Sequence, residues 1–232
     1  MFYFNPQYLL FMAPAIIAML AAQWYVKSTY KKWGKIPTSS RLTGEQATQR
    51  LISIGGLHDV EIQQIQGQLT DHYDPRKKLL SLSPAVYQGN SVASLAIAAH
   101  ELGHALQDKE DYFPLRLRST LVPAVNIGST LGWILIVVGL LINAIGLAWL
   151  GVIAFSGGAI FALATLPVEL NASSRAKQLL RDSGVISSSE EERGVNNVLN
   201  AAALTYVASL FTAVMQLLYW ISIVSGGRGR RR

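Results

Sequence analysis

"IAAHELGHALQ", Ile97 to Gln107, is the stretch from which the rest of the chain is best read. It places two of the chain's four histidines four residues apart in a run of alanines and leucines. On a helix, residues at that spacing lie on one face, a turn apart. His100 and His104 can therefore bind one Zn²⁺ through their imidazoles, at about 2.0–2.1 Å each. Glu101 follows the first histidine and can reach a zinc-activated water as general base, then pass the proton to a leaving amine. Gly103 leaves room near the metal, and the alanines let other elements pack close. Two histidines on a helix can also be plain core side chains. The whole HExxH pattern is more demanding, arising by chance in on the order of 1% of chains this long.

The chain around this helix is poor in charge. Of 232 residues, 50% are hydrophobic and 15% charged, against roughly 25% charged in an ordinary globular protein. The net charge is +6, but the basic residues flank apolar runs and do not cluster among aromatics. They read as topology signals and not as a nucleic-acid surface. With no cysteine there are no disulfides and no thiolate ligands.

A bilayer core of about 30 Å needs roughly 20 mostly apolar helical residues. Four stretches meet that need: 7–26, 121–142, 146–166 and 201–224. The expected fold is a mainly α-helical integral membrane protein with four transmembrane helices. A small α+β domain built around the HExxH helix completes it. The first stretch is not a convincing signal peptide, because its basic residues follow the apolar run and its cleavage site is weak.

Residues 27–120 form a polar segment large enough for that domain. Thr43 to Gln46 has capping-box spacing, and Ala47, Leu51 and Ile54 recur at helical intervals until Gly55-Gly56. Val60 and Ile62 suggest a strand, and "GQLTDHYDPRKKLLSLS" a hairpin turning at Asp74 to Lys77, with Leu80 and Leu82 on one face. Asn90 or Ser91 caps the helix that carries the motif. Asn143 to Ile145 make a tight transmembrane hairpin of the second and third spans. Gly128-x-x-x-Gly132 and Ala154-x-x-x-Gly158-x-x-x-Ala162 supply small residues for close helix packing. Pro167 is placed to start a new helix in the 167–200 segment, Ser188-x-x-Glu191 caps the next, and 225–232 is a basic tail.

A catalytic zinc needs a third protein ligand and one open position. Glu169, in "LPVELNASSRAK", is the best downstream candidate. The bland alternative is a carboxylate at the membrane boundary, solvated or paired with Arg175. Two spans separate the motif helix from Glu169, so both lie at the same membrane face.

HELGH followed by a membrane hairpin and Glu169-x-x-Ala-Ser-x-Arg resembles the YugP-type neutral zinc metallopeptidases of bacterial membranes. "DHYDP" and "LSPAVY" extend the resemblance upstream, so that it covers nearly the whole chain. The layout is also similar to the HtpX-type membrane proteases. The resemblance implies a metallopeptidase with one zinc per chain on His100, His104 and Glu169, Glu101 as base, and a protein or peptide substrate. In the HtpX group an aspartate four residues after the glutamate ligand buttresses a histidine ligand. Here Ser173 holds that position and supplies no negative charge.

In zinc proteases of this design an edge strand beside the active-site helix pairs with extended substrate. Leu79, Leu80, Ser81, Leu82 and Ser83 are in the right order to be that strand, or else a purely structural one. An oxyanion-stabilising donor is also needed, and His72, Tyr73, Tyr87 and Arg175 are the candidates. Lys27, Lys31, Lys32, Lys35, Arg116, Arg118, Arg175, Lys177, Arg181 and Arg193 fall on the motif's face of the membrane. If all four stretches cross, only Arg228, Arg230, Arg231 and Arg232 fall opposite, and if the fourth does not fully cross the tail stays on the motif's side. The catalytic face is expected to be cytoplasmic in a multi-pass bacterial cell-membrane protein. The lipid bilayer is the obligate partner, with an accessory membrane protein or a second copy as further candidates. The competing reading is a zinc-binding scaffold or partner-binding subunit with little or no proteolysis. The absence of cysteine and the retention of Glu101 disfavour it.

Overall fold

The computed structural model describes residues 6–229, and of 227–229 only the backbone. The expectation about Arg228, Arg230, Arg231 and Arg232 concerns side chains outside the described residues. Seven helices and a small sheet make up the described chain: α1 (Pro6–Trp33), α2 (Gly44–Gly55), β1 (Glu61–Gln64), β2 (His72–Asp74), β3 (Leu79–Leu82), α3 (Pro84–Tyr87), α4 (Val92–Lys109), α5 (Phe113–Leu141), α6 (Ile145–Asp182) and α7 (Ser189–Gly229). Four of these, α1, α5, α6 and α7, are long and apolar enough to cross a membrane. The protein is a mainly helical membrane protein with one three-stranded sheet.

The chain divides into two compact units. One comprises 1–22, 116–167 and 205–232; the other 23–115 and 168–204.

In the first unit α5 and α6 approach backbone to backbone. A Cβ on Gly132 would stand 2.6 Å from Phe155 N, and one on Gly151 would stand 2.6 Å from Ile136 N. Gly128 and Gly158, which the small-residue pattern also singled out, make only ordinary contacts of 3.4 Å. The turn between the helices puts Asn143 at φ 58°, where the amide-bearing side chain tolerates left-handed backbone. Ala144 N then donates to Gly139 O and Asn143 N to Leu140 O, closing a Schellman motif. Near the start of α1, Tyr8 meets Tyr219 of α7 edge-on at 5.2 Å, and Gln7 Nε2 donates to Ser222 Oγ.

The second unit has its own core, in which Leu51, Leu80, Leu82, Leu95, Leu102, Leu180 and Leu199 are fully buried. Thr43 and Gln46 form the capping box of α2, and Gly56 ends that helix in the left-handed region. Ser91, not Asn90, caps α4 by accepting from Ser94 N. Ser188 and Glu191 cap each other's backbone N–H groups at the start of α7. The four-residue α3, on "PAVY", had no counterpart in the sequence reading. It is too short to show a helical period, and only proline at its first position marks it.

Two expectations need correcting. The sheet order is β1-β3-β2, with β3 parallel to β1 and antiparallel to β2. Leu79 to Ser83 therefore does not offer a free edge: β3 is the central strand, and Ser83 N is taken by Asp71 Oδ1. The hairpin logic paired β3 with β2 correctly but left β1, a parallel partner reached from further back in the chain, unplaced. The free edges belong to β1 and β2. Nor does Pro167 start a helix, since α6 runs through it from Ile145 to Asp182. An interior proline removes one helical hydrogen bond, and an apolar helix of this length tolerates the loss, as α1 and α5 do at Pro14 and Pro123.

Candidate metal centre

The site is built by two helices of the second unit. Buried Leu95, Ala99 and Leu102 seat α4 in the core and leave His100, Glu101 and His104 only partly covered. The α6 segment after Pro167 crosses α4 at Gly103, where a Cβ would meet Ala172 O at 2.3 Å. Only glycine permits this crossing, and the crossing brings Glu169 over the two histidines.

Glu169 Oε2 lies 3.2 Å from His100 Nε2 and 3.5 Å from His104 Nε2. The imidazole rings are 4.9 Å apart and nearly perpendicular, at 85°. One donor atom from each of the three residues falls within 4.8 Å of the others, so the group can hold a metal ion. The fit is specific. A tetrahedral ion with arms of about 2.0–2.1 Å has donor–donor edges of about 3.3–3.4 Å, and the two contacts straddle that value. Two nitrogens and one carboxylate, with no sulfur, is a donor set that leaves a fourth position open. The side chains of both histidines are 12% exposed and that of Glu169 only 2%.

Each histidine is also held on its far side. Ser173 Oγ is 3.2 Å from His100 Nδ1, the contact left open by the serine at that position. Gln107 Oε1 is 3.0 Å from His104 Nδ1. Both Nε2 atoms are thereby turned toward Glu169. Gln107 escaped the sequence reading. The available signal was its place three residues after His104, on the motif face of the same helix.

Charge is concentrated here. Burial pushes the Glu101 carboxyl above the usual carboxylate range; the imidazoles of His100 and His104 oppose the shift, while Glu169 and Asp71 add to it. Burial alone would lower His104, but its hydrogen bond to Glu169 and the charges of Glu101 and Glu169 outweigh that and raise it.

The remaining sequence candidates are committed elsewhere. His72 is exposed, with Nδ1 2.9 Å from Thr70 O. Tyr73 donates to Asp108 Oδ2 at 2.8 Å, beside Lys78 Nζ at 2.7 Å. Glu45 of α2 raises the phenol of Tyr87 above its ordinary value. Arg175 donates to Asn171 Oδ1 and pairs with Glu110 Oε2, both at 2.7 Å. The structure thus gathers His100, His104, Glu169 and Ser173 at one place, and not His72, Tyr73 or Tyr87.

A family described as "Putative neutral zinc metallopeptidase" matches residues 8–225. The chain is similar to the "Putative membrane protease YugP" of Bacillus subtilis (strain 168), with 45% identity over 207 residues, 89% of this chain and 92% of that protein. No solved structure matches it.

Proposed function

This chain belongs to the neutral zinc metallopeptidase family, and from that premise we propose that it is a membrane-embedded endopeptidase with zinc held by His100, His104 and Glu169. The observation that carries the reading is the convergence of these three donors within 4.8 Å, with Glu101 next in sequence to His100 on the same helix. Zinc bound there supplies Lewis acidity to a water and to the peptide carbonyl. Glu101 takes the proton from the attacking water and returns it to the leaving amine. A carboxyl held above the usual carboxylate range suits that exchange better than an unshifted one. Gln107 and Ser173 keep the imidazoles oriented while this happens.

Glu169 follows the apolar stretch 146–166 by three residues on the same helix. That favours substrates that are membrane proteins or lie close to a membrane. The excess of lysine and arginine on the motif's side of the spans favours a cytoplasmic catalytic face.

The test compares zinc-loaded wild type and Glu101→Gln in mild detergent, with β-casein and a single-span membrane peptide as probes. Wild type should cleave, 1,10-phenanthroline should stop it, and Glu101→Gln should keep its zinc and lose roughly 100-fold or more in rate. Cleavage undiminished in Glu101→Gln would remove it as the base. A zinc-loaded wild type inert on both probes would shift the reading to a scaffold.

A further inference from the structure

We propose that Gln107 is the positioning residue of His104 and the last link of a hydrogen-bond chain in which every donor and acceptor is fixed, Glu110–Arg175–Asn171–Gln107–His104. The inference rests on the metal site proposed above and adds to it what fixes one of its ligands.

The direction of each bond follows from groups that can play only one part. A guanidinium only donates, so Arg175, which donates to Glu110 Oε2 and Asn171 Oδ1, requires the oxygen of Asn171 to face it. The same oxygen accepts from Gln107 Nε2 at 2.9 Å. Gln107 Nε2 also donates to the Val168 carbonyl at 2.7 Å, and a carbonyl only accepts. Both partners of the amide nitrogen are therefore acceptors, and a flipped amide would set oxygen against two oxygens. Gln107 Oε1 must then face His104 Nδ1, which must carry the hydrogen. His104 then presents Nε2, on the side of Glu169, as the atom that can bind a metal.

The chain also ties the ligands to each other. Val168 precedes Glu169, so Gln107 clamps His104 to the turn of α6 that carries the third donor. Gln107 is fully buried, which removes water as a substitute partner. His100 is served differently. The Ser173 hydroxyl can rotate to donate or accept, so it does not by itself choose a tautomer. Arg175, whose ring neighbour is Tyr112 at 5.8 Å, is accounted for as the outer anchor of this chain.

Zinc affinity by chelator competition and the visible spectrum of the cobalt-substituted protein test the proposal, with metal-free melting as the control for folding. Gln107→Leu should weaken zinc binding about 10- to 100-fold and alter the cobalt bands. Asn171→Leu should do the same. Asn171→Asp keeps an acceptor for both donors and should retain affinity and spectrum, a rescue that a filler role would not show. Wild-type affinity and an unchanged spectrum in both leucine variants would overturn the proposal, and so would failure of Asn171→Asp to rescue. If Gln107→Leu does not fold, the Asn171 pair decides. A wild type that binds no zinc would instead remove the metal site itself.

Discussion

A Cβ placed on Gly103 would stand 2.3 Å from the carbonyl oxygen of Ala172. The glycine inside HELGH is thus the point where α4 and α6 touch backbone to backbone, one residue from His104 and three from Glu169 in sequence. The gap between the first two donors and the third is set at this contact.

Gly103→Ala should therefore separate the helices and not merely crowd them, because a backbone carbonyl cannot rotate out of the way. The expected cost is about 1–3 kcal/mol of stability, together with weakened zinc binding. Thermal melting and zinc content of the purified variant check it. Wild-type values for both would show that the helices tolerate a wider crossing.

Zinc removal should lower the melting temperature. A ligand that binds the folded state stabilises it increasingly with free concentration. Glu169 is buried with two imidazoles against it. The shift on chelation should appear in wild type and in Glu101→Gln, and be lost in Glu169→Ala. An equal shift in Glu169→Ala would place the stabilising zinc elsewhere.

Ser173→Ala should weaken zinc binding less than Gln107→Leu does. Serine contributes one rotatable hydroxyl at 3.2 Å, whereas Gln107 bridges His104, Val168 and Asn171. Competition titrations of the two variants in parallel would show the order, and the reverse order would contradict it.

Acid should unfasten a different part of the unit. Glu191, outside the apolar stretch of α7, is buried, which by itself raises a carboxyl. Backbone N–H groups of Ser187, Ser39 and Ser188 nevertheless hold it down to about 2. A folded value below the unfolded one, near 4.5, means stabilisation that is fully present above pH 4.5 and lost as pH falls toward 2. The contribution is on the order of 3 kcal/mol. Glu191→Gln should melt well below wild type at neutral pH, and the gap should close through that acid window. A gap that persists unchanged at the acid end would rule out the carboxylate as its source.

Much of this was legible in the sequence because it rests on local rules. The four apolar stretches, the capping boxes at Thr43 and Ser188, and the i,i+4 histidines depend on residues close in the chain. Glu169 was reachable by counting membrane crossings. What stayed hidden depends on contacts between distant residues. The parallel pairing of β1 with β3 crosses a sequence gap that no turn signal spans, so β3 passed for an edge. Gln107 looked like a helix-end polar residue until Val168 and Asn171 were seen to close on it. Pro167 carried a real preference for a helix start, but the apolar period on both sides kept α6 continuous.

Elemental analysis of wild type and Glu169→Ala, purified side by side in mild detergent, decides whether the three donors are one site. About one zinc per chain in wild type and a large loss in the variant is the expected result. Stoichiometric zinc that survives the substitution would take Glu169 off the metal, and zinc absent from both after reloading would contradict a zinc peptidase altogether.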